Sequence, residues 1–114
     1  MPRTPQDIWQ HHAGALMAGD VDEIVADYTE ESTLITPQGV IRGTAGIRAW
    51  FTDVLQELPE AEFDVPVQHF DGDVLFITWS ATSKKKQVSD GVDTFVFDGD
   101  GIRVQTVRAT FTPM

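Results

Sequence analysis

The sequence predicts an α+β domain in which helices come first and a mainly antiparallel sheet follows. Three observations predict it. Apolar residues recur at spacings of three and four in residues 4–19 and again in 44–58. The second half alternates, or runs continuously apolar, over stretches of strand length. Asp71-Gly72 and Gly99-Asp100-Gly101 punctuate that half with hairpin signals. A chain of 114 residues with 41% apolar content reads as one domain, 1–114, able to bury a core without staples. No repeat, linker or second domain interrupts it.

The elements follow in order. The first helix starts at Thr4, with Pro5 at its first position and Asp7 completing a capping-box pattern. Ile8, Trp9, His12, Ala13, Leu16 and Met17 form its apolar stripe, which ends near Gly19. A short second helix is capped by Asp20, and Ile24, Val25 and Tyr28 are its buried side. The third runs from Thr44 to Leu58, carries Ile47, Trp50, Phe51, Val54 and Leu55, and is stopped by Pro59. A short strand pair, about 32–36 and 39–43, turns at Pro37-Gln38-Gly39. Four longer strands are expected at about 62–70, 73–83, 88–98 and 101–112. The last changes phase between Val104 and Val107, which places a bulge near Gln105-Thr106.

Composition excludes several classes. There is no cysteine, hence no disulfide framework and no thiol chemistry. A net charge of −10 disfavours nucleic acid and anionic membranes as partners. No apolar run has the length of a membrane span, and MPRTPQDIWQHH lacks a signal-peptide core, so the expected location is the cytoplasm. Lys84-Lys85-Lys86 reads as a solvated hairpin tip that discourages edge pairing. No phosphate loop, nucleophile elbow or zinc pattern is present, so no cofactor or metal is expected.

Two residues stand out chemically. Asp93 shares a strand face with Phe95 and Phe97, while Val92, Thr94 and Val96 take the other. An arbitrary strand aspartate is solvated. Between phenylalanines a carboxyl group loses hydration, its protonated form is favoured, and it becomes a hydrogen-bond donor or a base of raised pKa. His12 lies one turn from both Ile8 and Leu16, where the bland reading is a core histidine satisfied by a backbone group. His11 points elsewhere, into solvent, and the pair is no metal motif because adjacent helical residues diverge. Tyr28 and Thr36 are polar groups near the helix-to-strand corner.

AGDVDEIVADYTEESTLITP (18–37), the helix opening GTAGIRAWF, and GVDTFVFDGDGIRVQTVRATF (91–111) also carry a resemblance. Together they resemble the ketosteroid isomerase and SnoaL-like branch of the nuclear transport factor 2-like superfamily, from about Trp9 to Phe111. The resemblance implies a cone-shaped α+β barrel, an apolar pocket and a homodimer. Ketosteroid isomerases use an aspartate base, with a tyrosine and a protonated aspartic acid holding the oxyanion. The protonated acid falls on Asp93, and the tyrosine position, eight residues before Asp20, is His12. Thr36 stands where the base belongs, and its hydroxyl cannot abstract a proton near neutral pH. SnoaL-like polyketide cyclases use an acidic residue to ionise a carbon acid, and Asp93 with His12 fits that scheme.

The expectation is therefore a SnoaL-like enzyme acting by proton transfer or cyclisation on an apolar carbonyl compound. Asp93 would be its acid/base and His12 its oxyanion donor. Thr36, Trp50, Phe76, Thr78, Ser80, Phe95, Val107, Ala109 and Phe111 are expected around the ligand. The alternatives are a non-catalytic binder of a small apolar ligand and a dimeric interaction domain. Leu75, Ile77 and Trp79 are expected on an outer sheet face that forms the dimer contact.

Overall fold

A computed structural model of the chain describes residues 3–99 and 101–114. Asp100, the middle of the predicted Gly99-Asp100-Gly101 turn, lies outside the described residues.

The helices are α1 (Pro5–Ala18), α2 (Val21–Val25) and α3 (Thr44–Glu57). The predicted capping box forms: the Thr4 hydroxyl accepts from Asp7 N at 3.1 Å, and Asp7 accepts from Thr4 N at 3.1 Å. Asp20 caps α2 by accepting from Glu23 N. The first turn of α3 has no local cap, since Gly43 precedes it. Glu30, fourteen residues earlier in sequence, accepts from Thr44 N at 3.1 Å instead.

The strands are β1 (Thr33–Thr36), β2 (Gly39–Arg42), β3 (Glu62–Asp71), β4 (Val74–Thr82), β5 (Lys86–Asp98), β6 (Gly101–Arg108) and β7 (Thr112–Pro113). They form one mixed sheet in the order β2-β1-β6-β5-β4-β3, with β7 also on β5. The β1–β6 pair is parallel and the rest are antiparallel. The sheet does not close, so the result is an open α+β cone. The single long strand expected over 101–112 breaks after Arg108, and its tail returns as β7.

Three bulges bend the sheet. Val65 and Pro66 together face Trp79, the kind of position where a strand tolerates proline. Ser89 and Asp90 on β5 together face Ser80. On β6 the register passes from Val104 to Ile102 against consecutive β5 residues, so Arg103 is the extra residue. The bulge thus lies before Gln105-Thr106, not at them. It puts Ile102, Gln105 and Val107 on the inner face.

The two faces of β4 are the reverse of the expectation. Leu75 pairs with Phe95 and Ile77 with Asp93, and paired residues share a face. Leu75, Ile77 and Trp79 therefore pack inward with Phe95, under the helices. Phe76, Thr78 and Ser80 fall on the outer face, where Phe76 is 39% exposed. The sequence misleads because Val74 to Ile77 is apolar throughout, so no polar residue marks the water side. The core lies between the inner face and the helices, around Ile8, Ile24, Ile47, Phe51 and Phe95. Among the described residues no helix is long and apolar enough to cross a membrane.

Candidate functional site

Between α1, α3 and the inner sheet face lies a cavity of about 60 Å³. Helix α1 contributes Trp9, His12, Ala13, Leu16 and Met17, and α3 contributes Trp50, Phe51 and Val54. The sheet contributes Phe63, Val65, Ile77, Trp79, Asp93, Phe95, Gln105 and Val107, and Phe111 follows from the tail. Asp93 and His12 are thus both on the cavity wall, with Trp50, Phe95, Val107 and Phe111 of the predicted ligand residues. Phe76, Thr78 and Ser80 are not there, for the reason given above. Thr36 and Ala109 line a neighbouring groove instead. Thr36 is occupied with its own turn: its hydroxyl donates to Gly39 O at 3.2 Å and accepts from Gln38 N at 3.1 Å.

Asp93 is 5% exposed. Trp79 Nε1–H donates to one carboxylate oxygen at 2.8 Å, and Gln105 Nε2–H donates to the other at 2.8 Å. The Tyr28 hydroxyl donates to Gln105 Oε1, which fixes that amide's orientation. Burial pushes the Asp93 carboxyl up to about 6, and the two N–H donors pull against it. Both donors favour the carboxylate, so the geometry is that of a held anion with a proton affinity near neutrality.

Trp79 reaches Asp93 because of Gly91. The two residues are cross-strand partners, and a Cβ on Gly91 would stand 2.3 Å from the Trp79 ring. The indole lies flat across the glycine and delivers its N–H two residues along the strand. Glycine inside a strand is a sign of such close approach, and Gly91 is the sequence signal that points to Trp79. No sequence pattern marks Gln105, because the Arg103 bulge resets the phase of β6.

His12 is 0% exposed, and neither ring nitrogen has a hydrogen-bond partner among the described residues. The expected backbone partner is absent. Rings of Trp9, Tyr28, Phe51 and Phe95 surround the imidazole, with centroids 5.4–6.2 Å away. Burial lowers its pKa to about 3, aided by His11, so it is neutral and presents one N–H and one lone pair. Its Nδ1 lies 4.0 Å from the buried Asp27 carboxylate, beyond hydrogen-bond reach.

His11 does not point into solvent. Its Nε2 meets Glu23 at 2.9 Å and its Nδ1 meets Asp27 at 2.7 Å, which raises its pKa, Glu23 first and Asp27 next. Arg3 adds a contact to Asp27 at 2.9 Å. This cluster ties α1 to the end of α2 and stands behind His12, outside the cavity. Among the described residues no group of three or more His, Cys, Asp or Glu side chains gathers where an ion could sit.

A bent open sheet wrapped by three helices around an acid-bearing apolar cavity defines a class of small α+β pocket domains. The chain belongs to the SnoaL-like domain family, whose model matches residues 9–105. It is similar in structure to a nuclear transport factor 2-like protein of unknown function from Cytophaga hutchinsonii (TM-score 0.76, 14% identity, covering 96% of this chain and 93% of that one). An uncharacterised cystatin-fold protein from Novosphingobium aromaticivorans matches with TM-score 0.78 at 17% identity, covering 93% of this chain and 98% of that one. A protein provisionally assigned as a ketosteroid isomerase, from Kribbella flavida, matches with TM-score 0.76 at 17% identity, covering 96% and 80%. At these identities the likeness shows the fold alone.

Proposed function

We propose that the protein is a small SnoaL-like enzyme that moves a proton on an apolar, carbonyl-bearing molecule, in isomerisation or cyclisation. One observation carries the reading. A carboxyl group with its pKa raised to about 6 shares an apolar cavity with a fully buried, unpartnered imidazole. A base with a pKa near the working pH combines ionisation with proton affinity. Asp93 would take a proton from the carbon beside the carbonyl group. The C–H electron pair moves onto the carbonyl oxygen, and the His12 N–H would hold the resulting oxyanion. Returning the proton to another carbon completes an isomerisation; in a cyclisation the enolate carbon attacks a second carbonyl group, and the proton held by Asp93 passes to the alkoxide that forms. Thr36 has no role in the proton transfer, so Asp93 replaces the base that the isomerase layout puts there.

A monocyclic β,γ-unsaturated ketone tests this, read by absorbance of the conjugated product. The wild type should accelerate conversion over buffer, with kcat/KM rising as pH passes about 6. Asp93→Asn should remove roughly 10²–10⁴-fold of the rate. The alternative, a binding protein without chemistry, is favoured by the engagement of both Asp93 oxygens with N–H donors. It would be supported by a ketone that saturates the cavity and is not converted. We also propose that the chain works as a homodimer, through the outer sheet face that carries Phe76.

A further inference from the structure

The inner cavity does not stand alone. Beside it lies a groove of about 340 Å³, and Trp50, Val54, Val107 and Phe111 line both spaces. Some 60 Å³ is enough for roughly four to six waters, or for one small ring. A larger ligand must extend beyond the inner chamber, and the partition of Trp50, Val54, Val107 and Phe111 leads to the groove. The two spaces differ in chemistry. The polar groups of the inner one are Trp79, Gln105, Asp93 and His12, and the first three are already bonded to one another. Of the buried polar side chains on its wall, His12 is the one without a partner among the described residues, and a ligand's carbonyl or hydroxyl group would supply it.

The groove is the more polar of the two spaces, with Thr36, Gln38, Asp53, Glu57 and Lys86 on its otherwise apolar walls. Lys86 Nζ lies 2.7 Å from Glu57, and Lys85 adds a second ammonium at 3.5 Å. Glu57 thus offsets the Lys86 charge on the groove wall, and Lys85 is not part of that wall. Asp53, one helical turn from both Trp50 and Glu57, has no ion-pair partner among the described residues. A chain of net charge −10 adds a background field against anions.

We infer that the site takes a two-part molecule: a single apolar ring bearing a carbonyl or hydroxyl group in the inner cavity, and a cationic, ammonium-ended arm in the groove against Asp53. The ring's chemistry rests on the function proposed above, whereas recognition of the arm does not. Trp50 and Phe111 form the waist between the two parts.

Matched probes test it by NMR titration of the whole chain. Para-cresol serves as the bare ring, and three relatives carry a butyl arm on the same hydroxyphenyl ring, ended by ammonium, hydroxyl or carboxylate. The ammonium form should bind more tightly than the carboxylate by about fivefold at low salt. Asp53→Asn should erase that order and Asp53→Lys should invert it. Ala109→Trp, which fills only the groove, should weaken the armed probes and leave para-cresol unchanged. Tightest binding by the carboxylate form would overturn the inference and assign the arm to Lys86. An order unmoved by Asp53→Lys would also overturn it, since the preference would then come from the molecule's net charge. Ring binding is scored separately, with para-cresol and His12→Leu. If para-cresol binding ignores that change, the proposed function fails while the arm site can still stand.

Discussion

At the scale of single residues, Asp93 and His12 pull the pH dependence of stability in opposite directions. The Asp93 pKa is raised from 3.8 to about 6, so between those values the folded state holds more protons than the unfolded one. Its contribution therefore costs stability as pH rises through that window, roughly 3 kcal/mol when complete. His12 is lowered from 6.5 to about 3, so the unfolded state holds more protons there, and stability falls as pH drops below 6.5. Between pH 7 and 5 these changes are about 1 kcal/mol gained and about 2 kcal/mol lost, so the wild type should vary little. The single variants should uncover each limb in urea titrations. His12→Leu should gain stability on acidification, and Asp93→Asn should lose it. Asp93→Asn should still fold, because Gln105 can turn its amide over, accept from the new side-chain N–H and donate to Tyr28. Matching pH slopes in all three proteins would show that neither group is buried as described. Gly91→Ala is the sharper probe of the carboxylate. The new methyl group must displace the Trp79 ring, at roughly 1–3 kcal/mol, and with it one N–H that lowers the Asp93 pKa. An NMR titration should then place Asp93 higher than in the wild type, while an unchanged midpoint would mean the indole N–H is not bonded there.

At the scale of elements, what could be read in advance followed local chemistry. The Thr4 capping box, the Asp20 cap, the Pro59 stop and the apolar stripes of α1 and α3 are rules that act within one turn, and they put His12 on the cavity side of α1. Alternation around Phe95 and Phe97 did the same for Asp93. The site's supporting residues depended on pairing between strands, which period-two patterns do not encode. Both faces of β4 are apolar, so no sequence pattern turns Trp79 inward, and only the register of Ile77 opposite Asp93 fixes its phase. Gln105 depends on one extra residue, Arg103, whose position no local signal marks. The place of Thr36 before Pro37 suggests a residue of the inner cavity, yet its hydroxyl closes the β1–β2 turn and the residue borders the groove. The cap of α3 is a long-range feature of the same kind. Glu30 meets Thr44, and these hydrogen bonds lower the Glu30 pKa. Glu30→Ala should leave the first turn of α3 without a partner, so that the Thr44 amide exchanges faster while those of α1 do not change. Equal exchange in both proteins would assign the cap to water.

At the scale of the molecule, the outer sheet face is the surface on which the proposed homodimer depends. Phe76, Thr94 and Thr106 form one row across β4, β5 and β6, and Ile35 on β1 continues it. Val74, Val96 and Val104 form the next row. Phe76 and Ile35 are 39% and 40% exposed, so this face presents apolar side chains that the proposed dimer would cover. A second copy of the chain is the partner expected here, through a two-fold contact in which each residue acts twice. A single Thr94→Arg change then sets two guanidinium groups against one another at the centre of the contact. It leaves the cavity untouched, because Thr94 and Asp93 point to opposite faces of β5. Sedimentation at micromolar concentration should show a dimer for the wild type and a monomer for Thr94→Arg. Leu75→Arg, by contrast, would place a charge in the core and unfold the chain. Added salt should tighten the wild-type dimer, since each copy carries a net charge of −10 and screening relieves their repulsion. A wild type that sediments as a monomer at every salt concentration would leave Phe76 facing water and end the proposal. A Thr94→Arg protein that remains dimeric would move the contact to another surface.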